Sequence, residues 1–370
     1  MNIESLRLVD YRNYKEIDIS FCKDLNIIYG ENAQGKTNIL ESIFLCASGR
    51  SHRTSKDSEL IRFDKKSYYI KLKYEKQNRS SQIEIMYEAD QKKKIKVNEI
   101  PIKKLGNLMG NLNVIIFSPE DLLVIKEGPS GRRRFIDITI SQLRPAYFYD
   151  LQQYSKILAQ RNTLLKEIQK KRSLTDTLDI WNCKLANTGA RIMKVRHEFI
   201  ARLNKFVEIN HDRLAGGKEK LCIKYVPAVK TSLYEIYDIE KSFKNELERS
   251  LAREMIKPTT ATGIQRDDYD IFLNDVSLKQ FGSQGQQRTA ILSVKMAEMD
   301  ILREETGEFP ILLLDDVMSE LDDIRQQYLI KNMENVQTFI TCTNIDLFKK
   351  IDDRRKIMYN INAGNVVIEN

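Results

Sequence analysis

Residues 25–37 constrain this chain more than any other stretch. A strand-like run from Leu25 to Tyr29 leads into Gly30-Glu31-Asn32-Ala33-Gln34-Gly35-Lys36-Thr37, and helical spacing continues to about Ala47. The glycines let the backbone bend so that its N–H groups point inward at a chain of phosphates. Lys36 then reaches the terminal phosphates and the Thr37 hydroxyl binds Mg²⁺. A helix that starts at such a loop adds a dipole favourable to negative charge. Gly30, Asn32, Ala33, Gln34, Gly35, Lys36, Thr37 and Asn38 are therefore the expected nucleotide contacts.

A second element lies far along the chain, Ile311-Leu312-Leu313-Leu314-Asp315-Asp316. Four successive aliphatics suit a strand buried on both faces of a parallel sheet. Carboxylates at the end of such a strand stand where these sheets place ligands. Asp315 is expected to hold Mg²⁺ through water, and Asp316 either to polarise the attacking water or only to position it.

About twenty residues before that strand stands Phe281-Gly282-Ser283-Gln284-Gly285-Gln286-Gln287-Arg288, followed by helically spaced Ile291, Leu292, Met296, Met299 and Leu302. This arrangement resembles the signature motif of ABC ATPases. The resemblance implies that Ser283, Gln284, Gly285 and Gln286 bind the γ-phosphate of ATP held by a second copy. A hydroxyl and helix-start N–H groups are suited to that task. Ser319-Glu320-Leu321-Asp322 resembles the D-loop of the same class, which puts Asp322 at the dimer interface. The γ-phosphate switch of that class is usually a histidine. Here the corresponding stretch is Thr341-Cys342-Thr343, and Thr343 is the expected switch, acting with Asp316 and Lys36 in hydrolysis.

The remainder of the 370-residue chain fits this frame. Residues 3–28 read as strands with turns, and the alternation that returns at 68–97 suggests an antiparallel sheet with one polar side. Helical spacing takes over from about Leu122, through Tyr147–Ile168 and Trp181–Ile209. A short strand (Leu221–Val226) and a helix (Ile236–Met255) follow, without a sustained heptad repeat. The expected fold class is α/β: an ABC-type P-loop ATPase head with an antiparallel β subdomain and a helical second domain. The head is assigned to 1–122 and 256–370, the helical arm to 123–255.

The apolar runs are too short to span a bilayer. The N-terminus lacks the pattern of a signal peptide, so a cytoplasmic location without membrane is expected. Five dispersed cysteines suit reduced thiols rather than a disulfide framework or zinc site. The net charge of +8 permits an anionic partner without identifying one.

Beyond the ATP motifs, the chain resembles the RecF family end to end. The resemblance is carried by Leu8-Val9-Asp10-Tyr11-Arg12-Asn13-Tyr14, Ser51-His52-Arg53-Thr54 and Phe117-Ser118-Pro119-Glu120-Asp121-Leu122. It continues through Gly128-Pro129-Ser130-Gly131-Arg132-Arg133-Arg134-Phe135-Ile136-Asp137 and Gly263-Ile264-Gln265-Arg266-Asp267-Asp268. The family often has Pro-His where this chain has Ile264-Gln265. The resemblance implies ATP and Mg²⁺ as cofactors, a homodimer formed on ATP binding, and slow, weak, DNA-stimulated hydrolysis. It also implies binding to double-stranded DNA and to single-strand/double-strand junctions at gaps. The tasks implied are DNA repair, replication, recombination and the SOS response, with RecA loading alongside RecR and RecO.

Arg12 and Asn13 match an early segment that touches nucleotide in related heads; the alternative is a turn between two strands. The basic clusters Lys92–Lys94, Lys103-Lys104, Arg132–Arg134, Lys170–Arg172 and Arg354–Lys356 are candidate DNA contacts, with Arg132, Arg133, Lys103 and Lys104 preferred. The tract at Arg132 is also a candidate to serve the nucleotide. An ABC transporter ATPase subunit is the alternative function, though its signature normally reads nearer Leu-Ser-Gly-Gly-Gln. A P-loop kinase needs no such signature, and Thr343-Asn344-Ile345-Asp346 lacks the lysine of a guanine-reading motif, so ATP is expected over GTP.

Overall fold

In the computed structural model, residues 1–126, 128–349 and 355–369 are described. The chain divides into two compact units, 1–122 with 295–370, and 123–294. The first boundary falls where the helical spacing was expected to begin. The second falls at 294 rather than 255, for a reason that lies in the strand pairing of the second unit.

The first unit holds two sheets with different sequence signatures. One is antiparallel, in the order β2 (Tyr14–Ser20), β1 (Asn2–Tyr11), β4 (Ser67–Lys76), β5 (Arg79–Glu88), β6 (Lys94–Val97) and β7 (Ile100–Pro101). Alternate residues point to opposite faces of a strand, and β4 buries Tyr68, Ile70, Leu72 and Tyr74 while exposing Ser67 and Lys73. The register places Leu8 beside Ile70 and Ile70 beside Ile85, with Leu6, Leu72 and Ile83 in the next such row.

The second sheet runs β15 (Asn365–Glu369), β14 (Lys356–Asn362), β3 (Leu25–Tyr29), β13 (Thr338–Cys342), β12 (Ile311–Asp315) and β8 (Val114–Phe117). Its five strands from β14 to β8 pair in parallel, with β15 antiparallel at the edge. Every residue of β8, β12 and β13 is buried, as expected of parallel strands covered on both faces. Because β13 lies between β3 and β12, Thr341 pairs with both Ile28 and Asp315. Three segments distant in sequence thus end side by side.

Helix α1 (Lys36–Ser48) contacts both sheets, which is why it carries no polar face: residues 39–47 are all buried. Ile39, Leu40, Ile43, Phe44 and Leu45 are each at most 2% exposed, and burying each such side chain contributes roughly 1.5–3 kcal/mol. Helix α9 (Asp323–Asn332) completes the catalogue of what positions the site, with Asp322 as its N-cap accepting from the Arg325 N–H.

The second unit is built on α2 (Leu123–Lys126), α3 (Pro129–Leu143), α4 (Pro145–Ile168), α5 (Leu178–Ala215) and α6 (Ile236–Ile256). Helix α5 packs against α4 and α6 and against β9 (Leu221–Val226). Gly189 permits the close approach of α6, since a Cβ there would sit 2.5 Å from the Phe243 ring. α5 ends at Gly216 with φ 64°, the left-handed stop that glycine adopts without strain.

β9 pairs with β10 (Asp268–Leu273), which pairs with β11 (Val276–Ser277). Helix α7 (Leu278–Phe281) follows, then α8 (Gln284–Thr306), whose first part belongs to this unit. The β9–β10 ladder joins residues 268–273 to 221–226. That pairing carries 256–294 into the helical unit and explains the displaced boundary.

The interior of this unit is held by charge. The Arg196 guanidinium, 2% exposed, pairs with Asp137 at 2.9 Å and Asp267 at 2.8 Å. Tyr225 Oη donates to Asp267 at 2.5 Å and the Ala228 N–H donates to it at 2.9 Å. Arg161 and Glu254, both fully buried, pair at 2.7 Å. Among the described residues no helix is long and apolar enough to cross a membrane.

Candidate functional site

The phosphate loop owes its shape to two glycines. Gly35 has φ 117°, and a Cβ there would lie 2.4 Å from Asn13 Nδ2; a Cβ at Gly30, φ 149°, would lie 2.4 Å from the Ile361 carbonyl oxygen. Both conformations and both approaches exclude a side chain. The loop is braced from outside. Asn13 Nδ2 donates to the Gln34 carbonyl at 2.6 Å, Asn38 Nδ2 donates to Asn13 Oδ1 at 2.8 Å, and Tyr14 Oη donates to the Gly35 carbonyl at 2.9 Å. The Gln34 side chain accepts from the Ala363 N–H at 2.6 Å. Asn13 and Gln34 therefore stiffen the cradle, and α1 opens with no side chain capping its first turn.

Lys36 Nζ donates to the Gly30 and Glu31 carbonyls at 2.7 and 2.8 Å. Its pKa is lowered, chiefly by burial, against the pull of Asp316. An ammonium so placed gains from an anion entering the loop.

Beside it, Thr37 Oγ1 donates to Asp315 Oδ1 at 2.8 Å and Thr341 Oγ1 donates to the same oxygen at 2.7 Å. Burial pushes the Asp315 carboxyl up, further than these two hydroxyls pull it down; the nearby charge of Glu120 adds to the rise. A buried carboxylate with neutral hydroxyl donors is a group short of positive charge. This donor set fits a hard divalent cation. The Asp316 N–H donates to Thr341 Oγ1 at 2.8 Å. Asp316 adopts φ 54°, so the chain turns sharply at the strand end.

These groups open onto a cavity of about 700 Å³, lined by Asn13, Asn32, Ala33, Gly35, Lys36, Thr37, Asn38, Asp316 and Thr341 among others. Arg12 also lines it, but its guanidinium is engaged. Nε and Nη2 donate to Glu41 at 2.9 and 2.8 Å, and Nη1 donates to the Glu59 carbonyl at 2.9 Å. Burial would raise the Glu41 carboxyl, yet the Arg12 and Ser51 hydrogen bonds and the Arg12 and Arg53 charges bring it below its usual value.

The remaining expected residues divide. Thr343 lies past the end of β13 and is exposed, while Thr341 is the threonine that joins Asp315 to Asp316. Asp322 is bound to Arg325 at the start of α9. In the second unit, Ser283 and Gln286 form a reciprocal cap: the Gln286 N–H donates to Ser283 Oγ at 3.2 Å and the Ser283 N–H donates to Gln286 Oε1 at 3.1 Å. This is a capping box, with Ser283 and Gln284 exposed at its tip and Gln286 Nε2 also donating to Glu219 at 2.8 Å.

The DNA expectation for Arg132 needs correction. Arg132 is 4% exposed and forms a two-pronged pair with Asp268, both bonds 2.7 Å, so its charge is spent inside the unit. Arg133 is half-buried and donates to the Asp267 carbonyl at 2.6 Å. Lys103 and Lys104 are exposed. Arg354 lies outside the described residues.

Sequence spacing also missed one wall of the cavity, formed by Arg53, Glu59, Ile61, Arg62 and Phe63. Nothing in residues 53–63 announces it; their position follows from long-range backbone bonds.

A two-sheet α/β head, with a phosphate loop and acidic strand end meeting across a parallel sheet, defines an ABC-type P-loop ATPase. The RecF/RecN/SMC N terminal domain family model matches residues 2–364. The chain is 54% identical to the DNA replication and repair protein RecF of Acetivibrio thermocellus, over 98% of this chain and 99% of that one. It is 50% identical to RecF of Ruminiclostridium cellulolyticum, over 99% of each. A solved structure of the recombination mediator protein RecF with ATP superposes with a TM-score of 0.93 at 40% identity, covering 100% of this chain and 98% of that one. The Smc head domain of Pyrococcus furiosus shares the fold, with a TM-score of 0.56 at 15% identity. The chain belongs to the RecF family. That end-to-end match displaces the transporter subunit as an alternative.

Proposed function

We propose that this chain is an ATP-dependent DNA-binding protein of repair and replication, and that ATP drives two copies into a head-to-head dimer. The observation that carries this reading is the convergence of Lys36, Thr37 and the Asp315–Thr341–Asp316 cluster on one cavity. One copy binds the nucleotide through Lys36, Thr37, Asn38 and the loop backbone, with Arg12 and Asn13 holding the loop in shape. Thr37 and Asp315 hold Mg²⁺, which when bound neutralises the phosphate charge that develops during transfer. Asp316 orients the attacking water, and Thr343 follows the γ-phosphate. The other copy supplies Ser283, Gln284, Gly285, Gln286 and Asp322.

Ser283 and Gln284 support the trans role because they stand exposed at a capped helix start, whose N–H groups favour an anion. Hydrolysis is weak and DNA-stimulated, and it times release of the dimer from double-stranded DNA at gaps. The ATP-bound relative is described within the RecFOR pathway. In keeping with it, RecR and RecO are the partners and RecA loading the outcome, in the cytoplasm. DNA contact falls to exposed lysines such as Lys103 and Lys104, and phosphate contacts of this kind weaken steeply with salt.

Light scattering with and without ATP and duplex DNA tests the reading. ATP is expected to double the mass. Ser283→Arg is expected to keep ATP affinity within about twofold, a difference under ~0.5 kcal/mol, yet to stay monomeric. A wild-type chain that remains monomeric at saturating ATP would sink the proposal.

A further inference from the structure

The start of α8 is buttressed by a residue that belongs to none of the ATP motifs. Helix α5 gives way to Gly216 and Gly217, whose φ values are 64° and 75°. Two successive left-handed residues swing the chain round sharply. Glu219 then comes back against the helix start, where Gln286 Nε2 donates to its Oε1 at 2.8 Å. The bend is pinned just beyond. The Lys220 N–H donates to Asn274 Oδ1 at 2.8 Å, and the Asn274 N–H donates to the Lys220 carbonyl at 2.9 Å.

The second oxygen of Glu219 faces a histidine. His211 is fully buried on the last turns of α5, with Nδ1 3.0 Å from Ser293 Oγ and Nε2 3.5 Å from Glu219 Oε2. The Ser293 hydroxyl donates its own proton to the Thr289 carbonyl at 2.8 Å, so the histidine proton sits on Nδ1 and is donated to Ser293. Burial lowers the His211 pKa against the pull of Glu219. Neutral His211 turns a lone pair toward the carboxylate and offers it no proton. Gln286 is left as its donor.

A carboxylate only accepts, so it selects which end of an amide it meets. With Nε2 held by Glu219, the Gln286 oxygen is turned to the Ser283 N–H, 3.1 Å away. The Gln286 N–H in turn donates to Ser283 Oγ at 3.2 Å. That hydroxyl accepts inside the loop and keeps its own proton for an acceptor outside it.

We infer that Glu219 is a positioning residue for the signature loop. By fixing the Gln286 amide it fixes the Ser283 hydroxyl in the orientation that donates to a γ-phosphate held by the other copy. Glu219 itself touches neither nucleotide nor reacting atoms. This deepens the ATP-dimer reading and rests on it.

The test follows dimerisation of the full chain by light scattering, over a range of protein concentrations at saturating ATP and Mg²⁺. Glu219→Ala is expected to raise the concentration for half-dimerisation about tenfold. ATP affinity of the dilute monomer stays at the wild-type value, as does the urea midpoint read by the one tryptophan, Trp181, in the same unit. Glu219→Gln keeps an acceptor oxygen in place and is expected to restore dimerisation to within about threefold. Added to Gln286→Ala, Glu219→Ala is expected to change nothing further, because its route to Ser283 is already gone. Wild-type dimerisation by Glu219→Ala, no rescue by Glu219→Gln, or a full further loss on the Gln286→Ala background overturns the proposal. If wild type stays monomeric with ATP bound, it is the dimer reading that fails, and this inference falls with it.

Discussion

Two buried acidic centres in this molecule are built in opposite ways. In the helical unit, Asp137 and Asp267 share the Arg196 guanidinium, with Tyr225 and a backbone N–H completing the set. In the ATPase head, Asp315 receives two neutral hydroxyls from Thr37 and Thr341. One centre is closed and complete in the folded chain. The other leaves negative charge under-compensated beside a cavity, which costs stability and favours a cation. The contrast separates a buried charge that the fold itself compensates from one that the fold leaves short of positive charge.

Three substitutions sharpen it. Arg196→Met strands two carboxylates, and removing one partner of a buried pair costs about 3–5 kcal/mol. The chain has one tryptophan, Trp181 on α5, so a urea melt followed by its fluorescence reports the second unit directly. An unchanged midpoint would show that the network is ornamental. Lys36→Ala is expected to weaken ATP about 100-fold, or ~2.7 kcal/mol, while the Trp181 melt stays where it was. Loss of both together would mean that Lys36 belongs to the structural class instead.

The smallest effect carries the sharpest sign. Folding raises the Asp315 pKa, so the protonated form is favoured in the folded state. The stability it contributes is present at low pH and is lost as pH rises through the folded pKa. At neutral pH Asp315→Asn should then raise the melting temperature of the nucleotide-free protein, on the order of 2 °C, while abolishing the stabilisation by Mg²⁺ with ATP. A melting temperature that falls at pH 7 would place Asp315 with Asp137 and Asp267.

Much of the head is legible in the sequence. The phosphate loop could be found because its geometry is local: a strand, two glycines that need positive φ, and a helix start occupy consecutive residues. The same holds for Ser283 and Gln286, whose mutual cap spans one helical turn. Strand Leu221–Val226 was recognised at its observed limits, and the period-two and helical patterns located the main elements. Which threonine serves the acidic strand was not legible. That Thr341 bonds Asp315 follows only from the register of β13 between β3 and β12.

Linear order thus determined the class of protein and located the glycine-bounded loop at Gly30–Thr37, because both depend on backbone conformation within a few residues. Tertiary structure decided which charges are available. Arg132 looked like a surface cation in a basic run, but Asp268, 136 residues away, takes it into the interior. Arg12 is likewise claimed by Glu41, and Phe63 reaches the cavity through bonds to a turn some fifty residues earlier. Charge and exposure are properties of neighbours in space. Sequence spacing carries them only where those neighbours are also neighbours along the chain.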